Sequence, residues 1–517
     1  MGWVDMLDTA RKPNRLASTR APMNIAFVTS ELAPWIKVGG LADVSASLGR
    51  ALAALGHEVQ ILIPYTGTTG LPDTGLLPRG RSGFLVVPEW GWQETPVTDR
   101  LRILWISGPG FAGRSGTPYA DASGRPWPDL VERYAEFCKI LVMAYAHQGQ
   151  EAPTRPDILH GHDWPMGLIP FWSQALGTAL PTLFTIHNLG YPGLFGRESF
   201  DRLGLPPDLW NEDPGILLGL SASSLKTGLR FADQLTTVSP NYAREIGTPE
   251  GGDGLANLIR KRQDDLSGIL NGIDSDTWNP ASDPLLPTHY AAGKPEGKRA
   301  CRKRLLDHMA LEDTTHPIAG FVGRLVNEKG IDLLADAIPE LVNRGWRLVL
   351  LGKGDRDVEQ GLRESCRAYR GKVALQTEQN ESMAHLIMAG ADLFLMPSRY
   401  EPCGLTQMYS QRYGTPPVAH AVGGLVDTIL DADRVPGGTG FLFQEPTVQA
   451  LLDCCRRAER AFQDPTRWNS ICERAMNLDF SWHSRAREYE KAYGRAIERR
   501  RNRTSCSAHQ RAPKSSS

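Results

Sequence analysis

Short apolar segments that alternate with helix-like segments constrain the fold of this chain more than any other feature. Such alternation is typical of βαβ units, which build parallel sheets covered by helices. The sequence therefore predicts an α/β protein with two doubly wound, Rossmann-like domains. The predicted strands of the first half cover residues 23–30, 58–64, 157–160, 182–186 and 235–238, and those of the second half cover 318–322, 347–351, 373–376, 393–396 and 417–419.

Composition narrows the class of protein further. The chain has 517 residues, of which 41% are hydrophobic and 22% are charged, which is typical of a globular protein with two or three domains. A formal net charge of -1 argues against a nucleic-acid partner. No apolar run approaches the roughly 20 residues that cross a bilayer, and no signal-peptide core is present. Its 8 cysteines include no Cys-x-x-Cys pair, so we expect a cytoplasmic protein without membrane contact, disulfide framework or zinc site.

Changes in composition divide the chain into five segments. Both termini are polar, basic and aperiodic, and they are predicted to be disordered. The domain boundary is placed near residue 270, before a stretch rich in Pro and Ala that is typical of a connection. The predicted segments are a leader (1–22), an N-terminal domain (23–270), a C-terminal domain (271–475), a C-terminal helix (476–497) and a tail (498–517).

Two cations follow the predicted strand 318–322. Gly323-Arg324-Leu325 comes directly after this strand, and Lys329-Gly330 precedes a helix-like segment. Ligands of parallel α/β sheets bind at the carboxyl ends of strands, where helix N-termini supply donors for anions. Arg grips phosphate oxygens bidentately while Lys acts as a point charge, so the pair suits a leaving diphosphate. The alternative is a surface Arg and a Lys that only begins a helix.

A lysine and a glycine pair follow the first predicted strand. Lys37-Val-Gly-Gly-Leu41 leads into a helical pattern that ends near Gly56. Paired glycines let a backbone approach a ligand closely, although they also mark simple turns. The pattern is neither a dinucleotide-binding Gly-x-Gly-x-x-Gly motif nor a Walker loop.

Polar clusters end two further strands, as His160-Gly-His-Asp-Trp164 and as His187-Asn188. The first two histidines alternate on an extended segment without an evident third ligand. Satisfied histidines or sugar and phosphate contacts are therefore favoured over a metal site. Asp163 either caps the next helix or contacts a ligand. His187 closes a short buried strand, and we expect it to be functional.

Two loops of the second half complete the set of candidate sites. Glu401-Pro-Cys-Gly-Leu405 presents a carboxylate beside a helix start, where it could bind sugar hydroxyls or only stabilise the helix. Cys403 has no motif-linked base, so a small packed thiol is favoured over a nucleophile. Gly423-Gly424 again offers backbone N–H groups before a helix, as a phosphate cradle would.

These motifs, taken together and in order, resemble glycosyltransferase family 5, the bacterial glycogen synthases and plant starch synthases. The resemblance runs from Met23 to about Tyr493. Beyond the motifs already given, it is carried by Thr237-Val-Ser-Pro240, Asn271-Gly-Ile-Asp274, Gly423-Gly-Leu-Val-Asp-Thr428 and Phe480-Ser-Trp482.

The resemblance implies a GT-B fold, with two domains facing across a deep cleft and a C-terminal helix that crosses back to the first domain. The N-terminal domain would bind the glucan acceptor and the C-terminal domain the nucleotide sugar. The implied reaction transfers glucose from ADP-glucose to the non-reducing end of an α-1,4-glucan (glycogen), with retained configuration and without a metal. We expect a front-face mechanism in a closed cleft, because no carboxylate nucleophile is evident beside His187.

Site residues follow from the same resemblance. The expected catalytic residues are His187, Arg324, Lys329 and Glu401. The expected donor-binding residues are Lys37, Gly39, Gly40, Asp43, Asp163, Asn188, Asn271, Gly323, Cys403, Gly404, Leu405, Gly423, Gly424 and Thr428.

The chain departs from the family pattern at four positions. Pro192 stands where relatives commonly have Gln, Val422 replaces a Thr, and His420 and Ala421 replace more basic residues. A lost hydroxyl beside the phosphate would weaken donor binding by roughly 1 kcal/mol. Two rival functions are a GT-B enzyme with another donor or acceptor and a silent glucan-binding scaffold. Tyr409, where many family 4 enzymes have Glu, disfavours the first, and the intact charged positions disfavour the second.

Lys329→Ala is expected to lower turnover about 10²- to 10³-fold, because it removes a preorganised positive charge from the developing diphosphate anion. Steady-state glucosyl-transfer rates would measure this loss, with circular dichroism as a check that the variant is folded. Turnover near the wild-type rate would contradict the phosphate role of Lys329.

Overall fold

The computed structural model describes residues 21–65, 81–85, 87, 89–147, 153–378 and 380–511. These residues form two compact units. Unit 1 comprises the described parts of Met1–Val238, Ala243–Ile269 and Trp482–Ser517, and unit 2 comprises Ser239–Tyr242 and Leu270–Ser481. The predicted disordered leader lies outside the described residues, apart from its last two. Within the described ranges, no helix has both the length and the apolar character needed to cross a bilayer.

Unit 1 contains, among its described residues, a nine-stranded sheet and a three-stranded sheet. Its strands are β1 (Asn24–Val28), β2 (Glu58–Pro64), β3 (Ser82–Phe84), β4 (Gly91–Pro96), β5 (Leu101–Ser107), β6 (Ile158–His162), β7 (Thr182–Ile186), β8 (Leu194–Phe195), β9 (Leu217–Leu218), β10 (Ser221–Ser223), β11 (Gln234–Thr237) and β12 (Leu266–Gly268). The large sheet has the order β12-β11-β7-β6-β1-β2-β5-β4-β3. Pairing is parallel from β12 to β5, which buries the strands between layers of helices.

The helices of this part of the chain connect those strands. They are α1 (Gly40–Ala54), α2 (Leu130–His147), α3 (Ile169–Ala175), α4 (Arg197–Arg202), α5 (Ser224–Phe231), α6 (Pro240–Glu245) and α7 (Ala256–Lys261). Helix α1 shows how the sequence specifies them. Leu41, Val44, Leu48 and Leu52 recur at three- and four-residue steps and are buried, as an amphipathic helix requires.

Unit 2 contains a parallel six-stranded sheet among its described residues. Its strands are β13 (Ile318–Val322), β14 (Arg347–Leu351), β15 (Val373–Gln376), β16 (Leu393–Met396), β17 (Pro417–His420) and β18 (Phe441–Phe443). The order β15-β14-β13-β16-β17-β18 is that of a doubly wound, dinucleotide-binding type of sheet. The helices are α8 (Glu296–His308), α9 (Ile331–Asn343), α10 (Arg356–Ala368), α11 (Glu381–Gly390), α12 (Thr406–Arg412), α13 (Gly424–Thr428), α14 (Val448–Phe462) and α15 (Pro465–Met476).

The predicted parallel α/β architecture is confirmed in both units. The predicted strands 58–64, 182–186, 318–322 and 347–351 have the bounds of β2, β7, β13 and β14. The sequence prediction missed the edge of the unit 1 sheet, where β3, β4 and β5 are joined as antiparallel pairs. Strand β3 has only three residues and β4 is largely polar, whereas β5 (Leu101–Ser107) has an apolar, buried pattern that the sequence prediction overlooked.

An aromatic stack fixes the first segment of unit 2 to two of its helices. The Trp278 ring lies between His385 and Tyr409, with ring centroids 3.8 Å and 3.9 Å away and nearly parallel planes. Asp283 in the same segment accepts a hydrogen bond from the Tyr413 hydroxyl at 2.5 Å. These contacts hold the segment that contains Asn271 against helices α11 and α12.

The last described element, helix α16 (Trp482–Arg511), belongs to unit 1. Tyr489 and Tyr493 on this helix are fully buried in the core cluster that also contains residues of β1 and α1. The helix begins six residues later than the predicted 476. The prediction of a disordered tail from residue 498 is wrong as far as Arg511, because the helix continues to that residue.

A buried carboxylate holds the basic end of α16. Asp233 is fully buried, and its Oδ2 accepts hydrogen bonds from the Thr182 backbone N at 2.8 Å and from Arg500 Nε at 3.0 Å. Arg503 Nη1 lies 3.1 Å from Asp233 Oδ1. The residues that looked like a solvated basic tail thus neutralise a charge in the core.

Asp233→Asn should weaken the attachment of α16 to unit 1. The substitution keeps an acceptor for Thr182 but leaves the buried Arg500 without its counter-charge, which typically costs about 3 to 5 kcal/mol. Hydrogen exchange should report faster exchange in the last turns of α16, and urea should unfold the variant at lower concentration. Asp264→Asn, on an exposed side chain nearby, is the control. Equal protection in both variants would contradict this role of Asp233.

Candidate functional site

The strand order of each unit reverses between two neighbouring strands, β1 and β6 in unit 1 and β13 and β16 in unit 2. Ligands of open α/β sheets bind beyond the carboxyl ends of such strands. The candidate residues follow these strands. Lys37 follows β1, Asp163 follows β6, Arg324 and Lys329 follow β13, and Glu401 follows β16.

Lys329 and Glu401 form the centre of the unit 2 cluster. Lys329 Nζ lies 2.7 Å from Glu401 Oε2, and the Ser398 hydroxyl donates to the same oxygen at 3.1 Å. The two charged side chains are only 18% and 10% exposed. A cation suited to phosphate and a carboxylate suited to hydroxyl groups therefore lie side by side.

The turn that carries Lys329 fits closely against the end of β16. Gly330 has a φ of +67°, and a Cβ there would lie 2.0 Å from the Pro397 carbonyl oxygen. Arg399 adds a bidentate pair with Asp332 at 2.6 Å for each contact, and it donates to the Asn327 carbonyl. Only Gly allows this approach, and the approach brings Lys329 to Glu401.

Arg324 is the more exposed of the two cations after β13. Its side chain is 51% exposed and lies 3.3 Å from Glu328. An exposed ion pair of this kind contributes only about 0 to 1 kcal/mol, so the guanidinium can readily exchange its partner.

The glycine pair of unit 2 supports the Glu401 segment. Gly423 has a φ of +48°, and a Cβ there would lie 2.0 Å from the Glu401 carbonyl oxygen. The Gly424 N–H donates to that oxygen at 3.0 Å. The two glycines therefore allow close packing of the backbone against Glu401. The Gly424 N–H is already hydrogen-bonded to the Glu401 carbonyl oxygen.

Other predicted residues of unit 2 also lie around Glu401. The Thr428 hydroxyl is buried, donates to the Gly424 carbonyl at 2.7 Å and lies 3.1 Å from Gln407 Nε2. Gln407 Nε2 also donates to the carbonyls of Cys403 and Gly404, and Leu405 directly precedes helix α12. These contacts shape the loop that holds Glu401, and the Cys403 thiol is buried.

Asn271 and Gly323 complete the set for unit 2. Asn271 is 5% exposed, and its Oδ1 is buried without a hydrogen-bond partner among the described residues. The Gly323 N–H donates to the Leu351 carbonyl at 3.0 Å and so extends the pairing of β13 with β14. An unpartnered buried oxygen is rare in native proteins and costs free energy.

In unit 1, an internal carboxylate occupies the glycine loop. Glu31 Oε2 accepts hydrogen bonds from the backbone N–H groups of Val38 and Gly39, each at 2.8 Å. The Tyr119 hydroxyl donates to Glu31 Oε1 at 2.8 Å. The backbone N–H groups of Val38 and Gly39 are thus already bonded to a carboxylate of this chain, and Glu31 is a structural residue that the sequence analysis missed.

Lys37 extends from this loop, which leads into α1 at Gly40. Its side chain is 52% exposed, and its ammonium lies 2.8 Å from Asp43 in the first turn of the helix. The predicted Lys37 and Asp43 are thus brought together, and Lys37 remains open to solvent for a ligand.

Asp163 determines the path of the loop after β7. Its Oδ1 accepts from the backbone N–H groups of His187 at 2.6 Å and Asn188 at 3.3 Å. Burial raises the pKa of Asp163 to about 7, although both amide bonds oppose this shift. Asn188 Oδ1 in turn accepts from the Gly190 N–H at 2.9 Å. Burial therefore favours the neutral carboxyl form of Asp163 more than is usual for an aspartate.

The rings of His160, His162 and His187 lie against one another at tilted angles. His162 Nδ1 lies 2.9 Å from His187 Nε2, and the His160 ring lies 4.0 Å from the His162 ring. Burial lowers the pKa of His187 to about 3, and it lowers the pKa of His160 and of His162 well below the usual value. The described part of the chain contains no group of three or more His, Cys, Asp or Glu residues that could hold a metal ion.

Known families match both halves of the chain. Residues 24–261 match the starch synthase catalytic domain, and residues 306–470 match the glycosyl transferases group 1. The chain is 42% identical to glycogen synthase 1 of Methylococcus capsulatus over 92% of its own length and 97% of the relative's. It is 45% identical to a glycogen synthase of Anaeromyxobacter dehalogenans, over 91% and 99% of the two chains.

Two solved structures resemble this chain over most of its length. The catalytic domain of starch synthase IV from Arabidopsis thaliana, bound to ADP and acarbose, superposes with a TM-score of 0.81 at 30% identity, covering 92% of this chain and 100% of the other. A sucrose-phosphate synthase from Thermosynechococcus elongatus has a TM-score of 0.58 at 19% identity, covering 92% and 99%. The second likeness concerns the fold alone.

Asp163→Asn tests the raised pKa through stability. A carboxyl group with a folded-state pKa near 7 and an unfolded pKa near 3.9 favours folding at low pH, and this contribution disappears as the pH rises through 7. The unfolding free energy of the variant relative to wild type should therefore increase by about 2 to 3 kcal/mol between pH 5 and pH 8. Urea unfolding across this range measures it. The exposed Asp208→Asn is the control, and a pH-independent difference would contradict the raised pKa.

Proposed function

Since the chain belongs to the glycogen synthase and starch synthase family of glucosyltransferases and has the GT-B fold, we propose that it transfers glucose from ADP-glucose to the non-reducing end of an α-1,4-glucan, releasing ADP and retaining configuration. The donor proposal is supported by the related starch synthase, whose structure contains ADP. The acceptor proposal is supported by relatives that are glycogen synthases.

The pair of Lys329 and Glu401 carries this proposal. An ammonium group has three N–H donors, and one of those on Lys329 is directed at Glu401, 2.7 Å away. The remaining donors can bind phosphate oxygens while the Glu401 carboxylate accepts hydrogen bonds from sugar hydroxyls. A sugar and the phosphate attached to it have this same adjacency of hydroxyls and anionic oxygens.

Arg324 and Lys37 supply further positive charge in the proposed reaction. Both are about half exposed and paired with a carboxylate of their own unit, Glu328 at 3.3 Å and Asp43 at 2.8 Å. Because such pairs are weak in water, a diphosphate can replace the carboxylates. Arg324 would bind it bidentately, and Lys37 would add a point charge. As negative charge grows on departing ADP, these contacts strengthen and lower the barrier.

We propose a front-face route to retention. The bond between the anomeric carbon and the phosphate oxygen breaks, and its electron pair leaves with ADP. The glucan hydroxyl oxygen forms the new bond on the same face of the sugar, and its proton passes to the departing phosphate. Support comes from Asp163, the carboxylate next to His187 in this structure. Its Oδ1 accepts hydrogen bonds from the backbone N–H groups of His187 and Asn188, so it holds the loop and is not placed as a nucleophile. The neutral His187 ring fits a hydrogen-bonding contact to the sugar and not a proton donor of imidazolium type.

We further propose that no metal is needed, since Lys329, Arg324 and Lys37 provide the cationic groups that a diphosphate leaving group requires. A cytoplasmic location is supported by seven cysteines, from Cys138 to Cys472, that are free thiols, as is usual in a reducing compartment. Neither nucleic acid nor membrane enters the proposed reaction.

The donor and acceptor are tested together by measuring release of ADP and UDP. Purified protein is incubated with ADP-glucose or UDP-glucose, each with and without glycogen, while glucose incorporation into the polymer is followed. We expect ADP release that depends on glycogen and matches incorporation mole for mole. Lys329→Ala should lose this activity, and Lys353→Ala, an exposed lysine after β14, should retain it.

Three outcomes would overturn parts of the proposal. Faster turnover of UDP-glucose than of ADP-glucose would show that UDP-glucose is the donor. Nucleotide release without incorporation would contradict polymer synthesis. Binding of glycogen without turnover of either donor would favour the scaffold alternative.

A further inference from the structure

The hydrogen bond between His162 and His187 has a consequence for the side that His187 presents to a ligand. His162 Nδ1 and His187 Nε2 are 2.9 Å apart, which is hydrogen-bond distance. One proton must lie between the two nitrogens, because two lone pairs or two N–H groups would repel. His162 is fully buried, whereas His187 is only partly buried.

Both rings are neutral at physiological pH. Burial lowers the pKa of His187 to about 3 and the pKa of His162 well below its usual value. A neutral imidazole carries one N–H and one lone pair. Two arrangements are therefore left: either His162 Nδ1–H donates to His187, or His187 Nε2–H donates to His162.

The other nitrogen of His162 distinguishes these arrangements. His162 Nε2 is buried without a hydrogen-bond partner among the described residues, and the Phe27 and His160 rings lie 4.0 Å from the His162 ring. If His187 donated, the His162 proton would sit on Nε2 as a buried orphan N–H, which is rarer in proteins than an under-satisfied acceptor. The arrangement with the proton on His162 Nδ1 is favoured.

We propose that His162 is a positioning residue that holds His187 in its Nδ1–H tautomer, so that His187 presents an N–H donor to an oxygen of the sugar substrate. The lone pair on His187 Nε2 is occupied by His162, so the proton of His187 resides on Nδ1. No described residue is bonded to that nitrogen, which leaves it for a ligand. The identity of that ligand rests on the proposed function, whereas the tautomer does not.

The position of His162 is itself fixed. The neighbouring ring of His160 has its Nδ1 2.9 Å from the Tyr493 hydroxyl and its Nε2 2.7 Å from the Thr185 hydroxyl. Both nitrogens of His160 are engaged, so its ring cannot turn without breaking a bond. Helix α16, which carries Tyr493, thereby helps to orient the rings that lead to His187.

A matched pair of substitutions separates this role from packing. Asn and Leu have similar size, and only Asn places an amide N–H near the position of Nδ1. His162→Leu should lower kcat about 10- to 100-fold, as expected when a reacting group is misoriented, and His162→Asn should recover most of that loss. The KM for ADP-glucose should change less than kcat. Equal losses in both variants would show that the hydrogen bond is unimportant and overturn the proposal.

A spectroscopic measurement tests the tautomer without catalysis. Protein labelled with ¹⁵N in its histidine rings should show His187 protonated at Nδ1, with its signals identified by their absence in His187→Asn. In His162→Leu the same ring should shift toward the Nε2–H tautomer, while His162→Asn retains Nδ1–H. A wild-type His187 protonated at Nε2 would overturn the proposal. An Nδ1–H signal in a protein that turns over neither nucleotide sugar would instead contradict the proposed function and leave the tautomer standing.

Discussion

Parallel pairing between strands that are distant in sequence is the constraint on which both candidate sites depend. Strand β13 pairs with β16, and β1 pairs with β6, so the loops that follow each pair emerge at the same edge of a sheet. Lys329 reaches Glu401 across 72 residues of sequence only because of this pairing. In the same way, the loop after β6 supplies the Asp163 carboxylate that holds the backbone after β7. Strand order thus determines which loops, and therefore which functional side chains, come together in each unit.

Internal acids occupy many of the groups that the sequence offered to a ligand. Glu31 holds the amides of Val38 and Gly39, while Asp43, Glu328 and Glu401 face Lys37, Arg324 and Lys329. The pairs differ in strength, since the exposed ones exchange easily while Glu31 and Glu401 are largely buried. The exposed cations can therefore exchange their carboxylates for an incoming anion, whereas Glu31 stays bound to the backbone amides of its loop.

Most strands of the parallel sheets could be predicted from local sequence alone. A short run of apolar residues such as Thr182–Ile186 is too short for a buried helix and is best explained as a buried strand. The motif residues were found for a related reason, since glycines and charges at strand ends are unusual in a purely structural turn. Two kinds of feature could not be read locally. Glu31 lies in a loop, and its contacts with Val38, Gly39 and Tyr119 depend on the fold. Arg500 looks like part of a basic tail, and its partner Asp233 is 267 residues away.

The placement of helix α16 also affects how the protein is made. Unit 1 consists of the first part of the chain together with the last, so unit 2 is an insertion within it. During synthesis, Asp233 and the ring of His160 must wait for Arg500 and Tyr493 until unit 2 has been translated. Chains are made from the N-terminus and domains generally fold as units, so unit 2 can fold on the ribosome before helix α16, which packs on β7 and β11 of unit 1, has been made.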